Sequence, residues 1–145
     1  MTPATAFAVL NASVLPWWAL WLCAPRSRLA LRAASHGAVF VALSLAYALC
    51  FAAALGAGGP LSLGADGLRK AMATPRVFLA GWTHYLVFDL FVGAWILRES
   101  RRLDVEPRPF LLLTFLAGPL GLGSFLLRRA WHLRSLGGLG ETDLA

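Results

Sequence analysis

Charge is scarce in this sequence. Asp, Glu, Lys and Arg make up 14% of its 145 residues, where a soluble domain carries about a quarter. With 59% hydrophobic residues and a mean hydropathy of +0.68, the shortage excludes an ordinary water-soluble globule. The solvent of such a chain is the lipid bilayer. Cysteine is also scarce: Cys23 and Cys50 fall at different depths of the spans described below, which argues against a disulfide and leaves two small apolar side chains. No glycine-rich phosphate loop, paired CxxC, SxxK, HExxH or haem-attachment motif occurs, so the well-marked enzyme classes have no footing. His36 and His132 flank the apolar runs as polar interfacial residues, and neither a metal site nor a cofactor is expected.

The charge that is present is mostly basic, with a net +6 and a pI near 10.7. The thirteen basic residues lie between the apolar runs rather than on one face. That placement suits anionic lipid head groups and not a nucleic acid. No basic stretch precedes the first apolar run and no small-residue cleavage pattern closes it, so it is expected as a retained helix. A chain of this length makes one domain, here a single transmembrane domain over 1–145.

Spanning a bilayer takes about 20 mostly apolar residues. Four stretches qualify, at about 5–24, 36–56, 76–97 and 109–127, each bounded by charge, proline or glycine. The linkers 25–35 and 98–108 are short and basic, which makes successive helices antiparallel neighbours. The expected fold is therefore all-α, an integral membrane four-helix up-down bundle with a flexible tail at about 135–145. In the longer linker 57–75, Asp66 is expected to cap a short helix at the head-group level. Thr74 with Pro75, and Pro109, open the third and fourth spans. Pro16 and Pro119 each remove a backbone bond, predicting kinks near mid-depth in the first and fourth spans. The basic residues split seven to six between the two membrane faces, and the three arginines following the first span tip the expectation to both termini outside.

The third span carries the chemistry. His84 and Asp89 lie near its middle. An aspartate at that depth costs about 2.5–3.5 kcal/mol on insertion scales, so it must find a donor, be protonated, or serve a purpose. Five residues of helix separate the two by about 7.5 Å along the axis and about 140° around it, so their direct partners are expected from other helices. Asn11, Ser44, Tyr47, Thr114 and Ser124 lie at comparable depth, and Trp82 and Tyr85 share the helix with Asp89. Trp82, Phe88 and Phe91 could line a cavity for a flat conjugated molecule, and Gly118-Pro119-Leu120-Gly121 could let a helix or a flat ligand approach the backbone. Trp17, Trp18 and Trp21 are read as interfacial anchors.

Trp82-x-His84-x-x-x-x-Asp89-Leu90-Phe91 and Gly118-Pro119-x-Gly121, with Val14-Leu15-Pro16 and Ala24-Pro25, resemble the abscisic acid-deficient 4 type family, also called neoxanthin-synthase-like. The resemblance runs nearly end to end. It implies a link to carotenoid metabolism, because plant members are needed to turn violaxanthin into neoxanthin, an isomerisation in which an epoxide opens and a neighbouring carbon loses a proton to form an allene. Such a reaction needs a general acid, a general base and a dry slot, and no redox cofactor. The resemblance makes His84 and Asp89 the catalytic candidates, with Asn11, Tyr47, Trp82, Tyr85, Phe88, Thr114 and Pro119 as binding or supporting residues. Expected partners are membrane lipid and a carotenoid or other isoprenoid, with a second copy or another membrane protein left open. The Ala- and Arg-rich composition looks bacterial, and the expected location is a bacterial inner membrane. The alternative is a non-catalytic scaffold or pigment-binding subunit that uses the same polar pair for packing.

Overall fold

The computed structural model describes residues 1–56 and 64–136, which excludes most of the tail expected at 135–145. Six helices occur among the described residues, and no strand: α1 (Pro3–Cys23), α2 (Arg28–Ser35), α3 (Ala38–Leu55), α4 (Ala65–Met72), α5 (Pro75–Arg102) and α6 (Arg108–Leu133). Of these, α1, α3, α5 and α6 are long and apolar enough to cross a membrane. The packing falls into two units, Met1–Leu15 with Gly37–Phe88 and Pro16–His36 with Asp89–Ala145.

In the first unit, Leu10, Val14, Leu43, Leu79, Ala80 and Thr83 are buried. α3 buries Leu43 alone, so nearly its whole surface is left for lipid. Thr74 accepts the Phe78 amide bond at 2.9 Å ahead of Pro75, where the missing N–H of a proline is harmless. The short helix expected near Asp66 is present as α4, but Gly64 occupies its cap and Asp66 sits in the first turn, 3.6 Å from Arg69. There the carboxylate still opposes the positive end of the helix.

The second unit holds most of the surprises. Residues 25–35, expected as a linker, contain α2: the Ser27 hydroxyl accepts the Ala30 amide at 3.0 Å, and Ala30, Ala33 and Ala34 are buried beneath the exposed arginine side of the helix. α5 runs on to Arg102, past the expected end at residue 97. Trp18 and Trp21 are not interfacial anchors. Both are buried, packed edge to face at 5.7 Å, and a Cβ on Gly93 would lie 2.7 Å from Trp18. In lipid, helices associate by close packing and not by escaping water, so a glycine under two indoles is how α5 is brought against α1 here.

α6 departs furthest from expectation. Its backbone leaves the helical region at Ala117 (φ −155°, ψ 57°), two residues before Pro119. The pyrrolidine ring has no N–H for the Phe115 carbonyl and clashes with it. On a straight helix, Phe110 and Phe125 would stand about 22 Å apart, yet their ring centroids are 5.3 Å apart. A Cβ on Gly121 would strike Thr114, seven residues earlier. α6 is thus a helical hairpin: residues 108–116 enter, the chain turns at 117, and 118–133 return. The returning arm runs parallel to α5 in matched register, with Gly118 against Asp89, Trp95 and Phe125 at 5.3 Å, and Arg129 bonded to Glu99 at 2.9 Å.

The expected kink at Pro119 is therefore a reversal, and the up-down alternation ends with α5. The entering arm is about 13 Å long, so its tip reaches the middle of a hydrocarbon core about 30 Å thick. The reversal also recounts the charges. Within the second unit, Arg128, Arg129 and Arg134 join Arg26, Arg28, Arg32, Arg98, Arg101, Arg102 and Arg108 at one end, where a crossing α6 would have carried the last three to the other.

Candidate functional site

Asp89 lies halfway along α5, and its carboxylate rests on the backbone of Gly118 at the tip of the hairpin. Any side chain on Gly118 would collide with it. Glycine is required here because the carboxylate occupies the space a Cβ would fill. Gly118 opens the returning arm, directly after the non-helical Ala117. Interrupted helices at mid-membrane are tolerated where protein surrounds them or a cavity is lined, and they mark binding sites in many membrane proteins.

Pro119 makes the break. Thr114, on the entering arm, is fully buried, and its hydroxyl donates to the Phe110 carbonyl at 2.8 Å. Its role is to form the floor on which Gly121 packs, not to bond Asp89. Ser124 likewise donates to its own helix, at the Gly121 carbonyl, 3.0 Å away.

The remaining expected residues belong to the first unit. The Trp82 indole donates to the Asn11 side-chain oxygen at 3.2 Å, and the Asn11 amide donates to the Phe7 carbonyl at 2.7 Å. Phe7 and Phe78 flank the Trp82 ring at 5.4 and 6.0 Å. That cluster ties α1 to α5. His84 faces outward and is exposed, with the rings of Phe88 at 4.5 Å, Tyr47 of α3 at 5.8 Å and Tyr85 at 6.2 Å. Tyr85 and Phe88 are themselves more than half exposed. His84 and Asp89 therefore lie on different faces of α5, as five-residue spacing requires. In the second unit, Phe91 is exposed as well.

Sequence reasoning overlooked Glu99. Its two carboxylate oxygens accept bonds from Arg129 Nε and Arg102 Nη1, each at 2.9 Å, and Glu99 and Arg129 are both 3% exposed. Arg98 donates to the Ala34 carbonyl, Arg101 to that of Arg26 and Arg108 to that of Leu22, so Arg108 caps the end of α1, Arg98 that of α2, and Arg101 holds the turn between them. An acid within a run of arginines at a helix end reads as solvated charge. Only the returning arm turns it into a buried lock. Among the described residues, no three His, Cys, Asp or Glu side chains converge as metal ligands do.

Against family models, residues 5–125 match the ABA4-like family, described as ABA DEFICIENT 4-like. The matched stretch includes Asp89, the break at Ala117 and Pro119. No curated protein and no solved structure matches the chain.

Proposed function

The chain belongs to the ABA4-like family, and from that premise we propose that it is a carotenoid-pathway membrane protein that isomerises an epoxy-isoprenoid without a cofactor. The observation that carries this reading is the carboxylate of Asp89 held on the broken end of a helix at mid-membrane. A long polyene dissolved in the bilayer reaches that depth without leaving lipid, and the exposed rings of Tyr85 and Phe88 offer flat surfaces for its conjugated chain.

The chemistry needs two groups. One accepts the proton of the carbon next to the epoxide, and the other delivers a proton to the oxygen as the carbon–oxygen bond breaks. Proton lost and proton gained cancel, so substrate and product are isomers and no electrons are exchanged. Asp89 and His84 are the titratable side chains that α5 carries to the required depth. One of the two serves as the base and the other as the acid or the group that orients the end ring.

The test is expression in a host that accumulates violaxanthin, with pigments resolved by chromatography. Wild type should convert the epoxide to an allenic isomer of equal mass, and Asp89→Asn should abolish conversion while leaving the protein in the membrane. Identical pigments with and without the chain would refute the isomerase reading. Pigment that copurifies unchanged with wild type and with Asp89→Asn alike would favour a pigment-binding scaffold.

A further inference from the structure

Hydroxyl-bearing side chains inside helices usually turn back on their own backbone. Ser13, Thr83, Thr114 and Ser124 all do so here, at 2.7 to 3.0 Å. Ser100 does not: it is 1% exposed and its Oγ has no partner. Ser100 lines a cavity of about 130 Å³ at the arginine-rich end of the second unit, together with Arg26, Arg101 and Asp104. Pro25, Val105 and Pro107 form its apolar wall.

We propose that this cavity seats the phosphate of an anionic phospholipid, held by the Arg26 and Arg101 guanidiniums and by a hydrogen bond from Ser100. Several features of the fold select that ligand. A hydroxyl and two guanidiniums are donors converging on one acceptor-rich group, and a guanidinium's planar fork matches a phosphate. Arg101 is positioned by its bond to the Arg26 carbonyl. Arg26 reaches Asp104 and Glu106 only at 3.8 and 4.0 Å, with Asp104 almost wholly exposed, so a phosphate displaces weak, solvent-screened contacts. The cavity lies where α1 and α5 end, which is the head-group level, within a cluster of ten arginines that an anionic leaflet attracts. The apolar wall suits the glycerol side of a lipid, which a free phosphate lacks. The volume exceeds what one water needs by a wide margin.

The site is independent of the isomerase reading, and its test uses no pigment. The purified full chain, in neutral detergent micelles, is titrated with phosphatidylglycerol, phosphatidylcholine or inorganic phosphate, and bound lipid is counted by native mass spectrometry. Wild type should retain one phosphatidylglycerol preferentially. Arg26→Gln with Arg101→Gln should weaken it at least tenfold, taking about fivefold for each cation at an anionic surface. Ser100→Ala should weaken it several-fold with no loss of melting temperature, because that hydroxyl bonds nothing within the chain. Asp104→Asn should tighten it by removing the opposing carboxylate. Since the Ser100 and Asp104 variants are expected to move in opposite directions, the outcome stands even where the double arginine variant fails to fold. Equal retention by all variants, or equal retention of phosphatidylcholine, would overturn the proposal. Displacement of the lipid by an equal concentration of inorganic phosphate would overturn its lipid source.

Discussion

Replacing Arg129 by methionine breaks the contact that joins the returning arm of α6 to the end of α5. Both partners of the pair are 3% exposed and 2.9 Å apart, and removing one member of a buried pair typically costs about 3–5 kcal/mol. Arg102 still holds the second oxygen of Glu99 at 2.9 Å and is 29% exposed, so the loss for Arg129→Met should fall at the lower end, about 3 kcal/mol. Glu99→Met should cost more, about 4–5 kcal/mol, because Arg129 is left buried without its counter-charge while Arg102 can turn to water. The double variant Glu99→Met/Arg129→Met replaces the pair with apolar side chains of similar length and should return to within about 1 kcal/mol of wild type. Reversible unfolding in mixed detergent, followed by circular dichroism, measures all four corners of this cycle. A single-variant loss below about 0.5 kcal/mol would be the behaviour of an exposed pair, and it would refute the burial of these charges between α5 and the returning arm.

Three other substitutions address the packing. Gly93→Ala puts a methyl 2.7 Å from the Trp18 ring and 3.3 Å from Trp21, and should cost about 1–3 kcal/mol, recovered in part by Trp18→Phe, as thermal melts in detergent would register. Gly118→Ala drives its methyl into the Asp89 carboxylate; pigment conversion should be lost, and stability should recover when Asp89→Gly is added, whereas an unperturbed Gly118→Ala would mean that the carboxylate does not rest there. Trp82→Phe and Asn11→Leu each remove the 3.2 Å bond between α1 and α5 and should cost about 0.6–2 kcal/mol apiece, with a double-variant loss clearly smaller than the sum.

The spans α1, α3 and α5 were legible because lipid demands long apolar runs and little else in this chain supplies them. The same logic misread α6. The apolar stretch at 109–127 satisfies the length requirement whether it crosses or doubles back, and the proline with its neighbouring glycines permits a bend without setting its angle. That angle is set by tertiary partners far apart in sequence, Phe110 with Phe125 and Glu99 with Arg129. One signal was present: crossing would carry Arg128, Arg129 and Arg134 to the opposite face and leave the basic residues almost evenly divided, an unusual balance for a membrane protein. α2 escaped notice because eight residues alternating alanine, leucine and arginine show too little apolar surface for a span, and its buried face consists of alanine methyls.

Within the candidate site, Asp89 and Pro119 were legible from charge and backbone chemistry, and their convergence at Gly118 follows from the hairpin. His84 was expected among partners from other helices. It does meet Tyr47, but on an exposed face, since burial of a helical residue depends on which side its neighbours take. Asn11 and Trp82 found each other for the reason buried polar groups generally do: in lipid an unmet indole N–H or amide has no water to turn to.

Membrane sidedness tests the hairpin most directly. In a chain with Cys23 and Cys50 replaced by serine, single cysteines at Asp66, Asp104 and Leu136 occupy exposed positions before α5, between α5 and α6, and after α6. Labelling by a membrane-impermeant maleimide in sealed, right-side-out vesicles reports the face on which each lies. The hairpin predicts that residues 104 and 136 share one face and are labelled or protected together, opposite to residue 66. A straight, spanning α6 would place 104 and 136 on opposite faces, and labelling of residue 136 but not 104 would contradict the account.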